Sequence, residues 1–114
     1  MLIDSYKFGK IVINGTSYDS DIIVIGDSVI SNWWRKKGHS LSSEDLNPVI
    51  EAKPSTLIVG CGASSMMNVP AGTLDILMQH NIETEILDTH KAVQRFNQYA
   101  SEGKNVAAAL HLTC

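Results

Sequence analysis

The stretch TLIVGCGASS, residues 56–65, decides the predicted fold of this chain. It opens on an apolar, mostly β-branched run and continues into a Gly-Cys-Gly segment. This pattern predicts a buried strand over residues 56–59 that ends in a sharp turn. Downstream, the sequence predicts a helix over residues 71–79 and a second strand over residues 82–87. Strand, turn, helix and strand in this order are the repeating unit of α/β proteins.

The alternation of helix and strand continues to the end of the sequence. Asp88 can cap a helix over residues 89–100, whose apolar residues recur on one face. Gly103 stops this helix, and residues 106–110 form a last apolar strand. We therefore predict a strand-helix-strand-helix-strand unit in which the strands are parallel and the crossovers right-handed.

Two β-hairpins are predicted before this unit. Asn14-Gly15 supplies the positive φ angles of a tight turn between strands over residues 11–13 and 16–18. Residues 22–25 form a second β-branched run, and a Gly-Asp pair turns the chain into an alternating segment over residues 28–33. We expect these hairpins to extend or flank the central sheet.

A further helix is predicted to begin after Ser42, which can cap it together with Asp45 three residues later. Pro48 cannot donate a backbone hydrogen bond, so it either kinks this helix or restarts it with Asn47 as a new cap. The helix is expected to end before Pro54.

Length and composition indicate a single domain over residues 1–114 with one hydrophobic core. Hydrophobic residues make up 44% of the chain and charged residues 18%, which is typical of globular proteins. The apolar runs are shorter than the roughly 20 residues of a membrane-spanning helix, and no secretory signal pattern is present. We therefore expect a cytoplasmic protein that does not bind membranes. The net charge of -3 likewise predicts no nucleic-acid partner.

Five segments, taken in order along the chain, resemble one known family. They are FGKIVINGTSY, DIIVIGD, WWRKKGHSLSSEDL, LIVGCG and AALHLTC. In order and spacing they resemble the Mth nine-three-eight domain family. The resemblance implies a single three-layer domain around a central mixed sheet of five strands, one of which runs opposite to the others. It also implies a role in protein assembly or metabolic regulation, without an established reaction.

Two positions depart from that family pattern. Gly60-Cys61-Gly62 stands where the family commonly has Gly-Thr-Gly, and Ser65 stands where another glycine is usual. The resemblance therefore implies that Cys61 does not carry an activity essential to the family.

The segment WWRKKGH at residues 33–39 is the first candidate recognition site. Neighbouring side chains of a strand point to opposite faces, so Trp33 in the core would leave Trp34 outside. An exposed Trp34 near Arg35 and His39 could contact a partner, because Trp and Arg are enriched at binding hot spots. The alternative is that another element covers Trp34.

The turn at Gly60, Cys61 and Gly62 is the second candidate. It resembles a nucleotide-binding turn, but the third glycine of that motif is missing and the following loop is long. A looser anion site built from loop amides stays open. Cys61 could act as a nucleophile with His111 as its base, although a small buried cysteine is the commoner outcome. Asn97 and the tail that starts at His111 either serve packing or line a pocket beside this turn.

We therefore predict a non-catalytic binding or assembly module with its recognition surface near the Trp-Trp-Arg and Gly-Cys-Gly segments. It would take a protein partner or a small acidic ligand. We expect no cofactor and no metal, since the cysteines and histidines lack paired ligand spacing. The alternative is an enzyme that binds a small molecule or anion in a cleft around residues 60–62. Homo-oligomers could also form through an uncovered edge strand of the first hairpin.

Overall fold

The computed structural model describes all residues, 1–114, and shows an α/β domain with two sheets. An N-terminal antiparallel sheet has the order β1-β2-β3 and consists of β1 (Ile3–Lys7), β2 (Lys10–Ile13) and β3 (Thr16–Tyr18). The central sheet consists of β4 (Ile22–Ile25), β5 (Ser28–Ile30), β6 (Thr56–Cys61), β7 (Glu83–Leu87) and β8 (Val106–His111). The helices are α1 (Asn47–Ala52), α2 (Ala71–Gln79) and α3 (Thr89–Ser101), and none has the length and apolar character needed to cross a membrane.

The central sheet is mixed and has the strand order β5-β4-β8-β6-β7. β6 is parallel to both β7 and β8, which confirms the predicted parallel trio. β4 is antiparallel to β8 and to β5. β4 is therefore the one strand that runs opposite to the other four, as the family resemblance implied.

Two hydrophobic clusters hold the layers together, one on each face of the central sheet. Ile58 of β6 packs in the first cluster with Ile11 of β2 and Phe96 of α3. Leu57 of β6 packs in the second cluster with Leu77 of α2. Because both faces of β6 and β8 are covered, all residues of these two strands are buried and their apolar runs are uninterrupted.

Two local predictions need correction, and one strand was missed. The second hairpin ends at Ile30 instead of residue 33, because Asn32 has a positive φ angle of 53°, which a strand does not allow. The helix after Ser42 does restart, but as a 3-10 turn over Ser43–Leu46 followed by α1 with Leu46 as its cap. Asp45 accepts hydrogen bonds from the Ser42 amide and hydroxyl, both 2.9 Å, as the capping pattern predicted. β1 was not predicted, since only one of its five residues is buried.

The Gly-Cys-Gly turn owes both of its glycines to close packing. A Cβ atom at Gly60 would lie 2.9 Å from Thr89 Oγ1 of α3. Gly62 has a φ angle of +104°, and a Cβ atom there would lie 2.2 Å from the carbonyl carbon of Cys114. α3 and the C-terminal residues therefore require glycine at these two positions.

Gly62→Ala is expected to destabilise the fold. Backbone strain alone should cost about 1–3 kcal/mol, and the collision with the Cys114 backbone adds to it. Gly72→Ala is the matched control, because Gly72 lies in α2 with open space around its Cβ position. That control should gain about 0.4–1 kcal/mol. Urea unfolding measures both, and equal stabilities of the two variants would contradict the packing argument.

Candidate functional site

The candidate site lies at the carboxyl ends of β6 and β8, the edge where α/β proteins commonly bind ligands. Gly60 pairs with Leu110 and Cys61 with His111 on these two strands. Asp21 reaches the same edge, because it directly precedes β4, which runs antiparallel to β8.

Asp21 is the centre of a cluster of polar contacts. Its Oδ1 accepts a hydrogen bond from the Leu112 amide at 2.8 Å. Its Oδ2 lies 2.8 Å from Arg35 Nη1 and 2.8 Å from His111 Nδ1. The Asp21 carbonyl accepts a hydrogen bond from the Trp33 amide at 2.9 Å. Asp21 therefore connects the start of β4, the loop that carries Trp33 and Arg35 (the tryptophan loop) and the end of β8.

The side chain of Arg35 is buried and does not share the exposure of Trp34. Its side chain is only 5% exposed. Nε and Nη2 donate to the Gly38 carbonyl at 3.0 and 2.9 Å, and the guanidinium lies 4.9 Å from the centre of the Trp33 ring. The guanidinium therefore already has the Asp21 carboxylate as its counter-charge beside Nη1, an atom that is buried and makes no hydrogen bond.

His111 completes the cluster. Its Nδ1 lies between Asp21 Oδ2 at 2.8 Å and Arg35 Nη2 at 3.2 Å. A carboxylate only accepts and a guanidinium only donates, so the strong contact with Asp21 favours the proton on Nδ1. Nε2 is buried and has no hydrogen-bond partner. The exposed His39 packs edge-on against this ring, with 5.7 Å between ring centres.

The contacts of Asp21 also set its acidity. Burial alone would raise the pKa of this carboxyl, but hydrogen bonds from His111, the Leu112 amide and Arg35 outweigh burial. The pKa of Asp21 therefore lies below its ordinary value of 3.8. The cluster stabilises the ionised carboxylate and, with it, the arrangement of the three segments.

A cleft of about 350 Å³ opens above the cluster. It is lined by Ser20, Asp21, Asn32, Trp33, Trp34, Arg35 and Gly38. Trp33 is 8% exposed and Trp34 is 85% exposed, so the two rings do lie on opposite sides. Trp33 is held inward by a hydrogen bond and not by strand alternation. Its indole N–H donates to the Asp45 carbonyl at 2.9 Å.

The C-terminal residues occupy the space beside the Gly-Cys-Gly turn. The Ala63 amide donates to the Thr113 carbonyl at 2.6 Å, and the Met66 amide donates to the Cys114 carbonyl at 2.9 Å. None of the cavities in the structure is lined by residues 60–62. The expected cleft around these residues is therefore filled by the chain itself.

The other candidate residues, Cys61 and Asn97, make no side-chain hydrogen bond to the Asp21 cluster. Cys61 is buried, and burial raises the pKa of its thiol. No hydrogen bond joins Cys61 to His111, although their strands pair at this position. Asn97 lies in α3, where its amide exchanges 2.8 Å hydrogen bonds with the amide and carbonyl of Ile3. Asn97 therefore anchors β1 and is not part of the Asp21 cluster.

Two residues of this edge were missed by sequence reasoning. Asp21 is one of them, although an aspartate directly before a buried strand could have been matched to Arg35. Thr89 is fully buried, and its hydroxyl donates to the His111 carbonyl at 2.6 Å while accepting from the Gly62 amide at 2.8 Å. Its only sequence signal is its place at the start of a predicted helix.

The stability conferred by Asp21 should depend on pH. Because its pKa is lowered in the folded state, its contribution is full above 3.8, the ordinary pKa, and is lost as the pH falls through the lowered value. Asp21→Asn leaves Arg35 without its counter-charge and should cost roughly 3 kcal/mol at pH 7. Urea unfolding should show this gap between wild type and variant staying constant above the ordinary pKa and shrinking as the pH falls through the lowered value.

Asp75→Asn is the control for this titration, because Asp75 is an exposed residue of α2 that forms no ion pair. It should leave the pH dependence of stability unchanged. A gap between wild type and Asp21→Asn that stays constant across the acid range would contradict the assignment of Asp21.

The two thiols should react at very different rates. Cys114 is exposed and Cys61 is buried, so a thiol reagent should label only Cys114 in the folded protein. Cys114→Ser should then abolish labelling until the protein is unfolded with urea. Fast labelling of Cys61 in the folded Cys114→Ser variant would show that the Gly-Cys-Gly turn is open to solvent.

Comparison with known proteins places this geometry in a family. Residues 3–111 match the family described as "Protein of unknown function (DUF498/DUF598)". The human protein NADH dehydrogenase (ubiquinone) 1 alpha subcomplex assembly factor 3 is 29% identical over 113 residues, which are 96% of this chain. The chain spans 60% of the length of that relative.

Solved structures show the same fold. The protein MT938 is 30% identical, with a TM-score of 0.83 over 99% of this chain and 98% of its own. A Bordetella pertussis protein described as a Mth938-like domain has a TM-score of 0.79 at 19% identity, covering 97% of this chain and 85% of that one. The resemblance found in the sequence is confirmed, and the chain belongs to the DUF498/DUF598 family of Mth938-like domains.

Proposed function

We propose that this domain is a non-catalytic binding or assembly module that docks a partner protein on the Trp34 surface. By the Trp34 surface we mean the exposed ring of Trp34 and the adjoining cleft walls at Ser20, Asn32 and Gly38. The observation that carries the proposal is the 85% exposure of a tryptophan held directly beside a rigid, buried ion cluster. An exposed large aromatic side chain beside a cleft is a typical anchor of protein interfaces.

The base of the Trp34 surface is ordered before any partner binds. Trp33 is fixed by hydrogen bonds to Asp21 and Asp45, and Arg35 is fixed by Asp21 and Gly38. The residue between them, Trp34, therefore projects from a backbone that is held on both sides. Such preorganisation lowers the entropy lost on binding and supports a recognition role.

The charges around the Trp34 surface suggest the chemistry of the partner. Lys36 forms an ion pair with Glu44, whereas Lys37 and His39 are exposed and form no ion pair with a carboxylate. A patch with apolar residues at its centre and carboxylates at its margin would complement this arrangement.

The comparison with the human relative supports assembly more than chemistry. That relative is named an assembly factor, and this chain covers 60% of it. Within this chain, the raised pKa of Cys61 disfavours the thiolate that nucleophilic chemistry at the glycine turn would need. Self-association through the first hairpin stays a prediction, and β3 is its open edge strand.

Trp34→Ala should weaken partner binding without loss of stability. A photoreactive phenylalanine placed at position 34 in cells should capture the partner, whereas the same residue at the exposed Phe8 should not. Titration of the purified partner should then show binding weakened by about 30-fold in Trp34→Ala, as for a hot spot of about 2 kcal/mol. Phe8→Ala is the matched control, since Phe8 is an exposed aromatic residue in another turn.

Trp34→Phe is a more conservative substitution at the same contact. It should retain part of the affinity for the partner, because an aromatic ring remains. Unfolding of Trp34→Ala in urea should match the wild type, since the side chain is exposed. A partner that binds Trp34→Ala as tightly as the wild type would show that the docking surface lies elsewhere.

A further inference from the structure

The β7 edge of the central sheet has no partner strand. β7 pairs only with β6, and their register runs without a bulge from Glu83 to Leu87. β7 contains neither proline nor lysine. Proteins usually protect sheet edges with prolines, lysines or bulges, because an unpaired edge pairs with other chains. β7 carries none of these three protections, although two of its five residues, Glu83 and Glu85, are charged.

The backbone groups on this open edge can be assigned from one hydrogen bond. The Glu83 amide donates to the Ser55 carbonyl at 3.0 Å, so the backbone of Glu83 faces β6. Backbone groups alternate along a strand, and therefore Thr84 and Ile86 point their N–H and C=O groups toward the open side. An added strand would find two donors and two acceptors there.

A groove of about 480 Å³ lies beside this edge and is the largest in the structure. It is lined by Leu74, Met78, Asn81, Ile82, Glu83 and Thr84. Met78 and Ile86 are exposed apolar side chains, and the buried hydroxyl of Thr84 has no hydrogen-bond partner. The edge thus combines free backbone groups with an apolar recess for alternate side chains of an added strand.

The charges favour a basic occupant. Glu83 is exposed and forms no ion pair, and by strand alternation its side chain lies on the same face of β7 as Glu85, opposite to the face of Thr84 and Ile86. Glu85 is different, because Arg95 and Tyr99 already bind its carboxylate. A lysine or arginine of the occupant would therefore find its counter-charge at Glu83.

A second copy of β7 would fit this edge poorly. An antiparallel copy that uses Thr84 and Ile86 on both strands places Glu85 directly opposite the Glu85 of the other copy. Like charges directly opposite each other destabilise strand pairing. β7 also contains no cation that could meet Glu83.

We propose that the β7 edge binds an extended segment of a partner protein, which adds to the sheet as a sixth strand. Apolar side chains at alternate positions of this segment enter the groove beside α2, and a basic side chain pairs with Glu83. This site lies at the edge of the sheet opposite to β5 and does not depend on the Trp34 surface.

The test uses a peptide that alternates lysine with valine and is about seven residues long, within the range of ordinary strands. In NMR spectra of the full chain, this probe should shift the amide signals of Thr84 and Ile86 most and slow their hydrogen exchange. Ile86→Lys should weaken binding by about tenfold or more. Ile30→Lys is the matched control, because Ile30 lies on the opposite edge strand and is 37% exposed, against 43% for Ile86.

Two peptide variants separate strand addition from non-specific attraction. N-methylation of one alternate set of peptide amides should abolish binding, whereas N-methylation of the other set should leave it intact. Replacement of every lysine by glutamate should weaken binding, because of Glu83. A probe that shifts no β7 amide at millimolar concentration, or that binds equally well to Ile86→Lys, would overturn the proposal.

Sedimentation of the protein alone tests the other occupant. A monomer, or an oligomer that Ile86→Lys leaves intact, is expected. A dimer that Ile86→Lys dissociates would show that a second copy covers the β7 edge, and would overturn the assignment to a partner segment.

Discussion

The ionised carboxylate of Asp21 is the interaction on which the candidate site depends. It contacts Arg35 and His111 and accepts from the amide of Leu112, a residue 91 positions away in sequence. A buried charge is costly unless it is paired and hydrogen-bonded, so the loss of one of these contacts destabilises the others. Their common effect is to fix the tryptophan loop and the chain after β8 against the start of β4. The position of Trp34 at the surface follows from this arrangement.

The second constraint is that the chain itself fills the space at the carboxyl ends of the strands. In many α/β proteins the carboxyl ends of the strands stay open and hold a ligand. Here the carbonyls of Thr113 and Cys114 accept hydrogen bonds from Ala63 and Met66, and Thr89 links His111 to Gly62. The glycines that resemble a nucleotide turn therefore make room for this chain's own backbone. The two recognition surfaces that we propose lie away from this region, at Trp34 and at the β7 edge of the sheet.

Local pattern was enough to predict most elements, because their signals lie within a few residues. β6 was visible from its continuous apolar run, and α3 from its cap at Asp88 and its apolar face. β1 has a single buried residue, so its place depends on β2 and on Asn97, which no local pattern reveals. The site was harder to predict, because it too depends on residues that are distant in sequence. Trp34 was found as the exposed ring, but the burial of Arg35 depends on Asp21, which lies 14 positions earlier in the sequence and in a different loop.

Site-resolved hydrogen exchange of the wild type and of Asp21→Ala tests the central role of Asp21 most directly. If Asp21 holds the edge together, exchange should accelerate at the amides of Trp33, Leu112, Ala63 and Met66, which bond to Asp21 or to the chain after β8. The amides in the middle of the β6–β8 pairing should stay protected, because their hydrogen bonds lie in the buried ladder. Unchanged exchange at those four amides, or uniform acceleration across the whole sheet, would contradict a local organising role for Asp21.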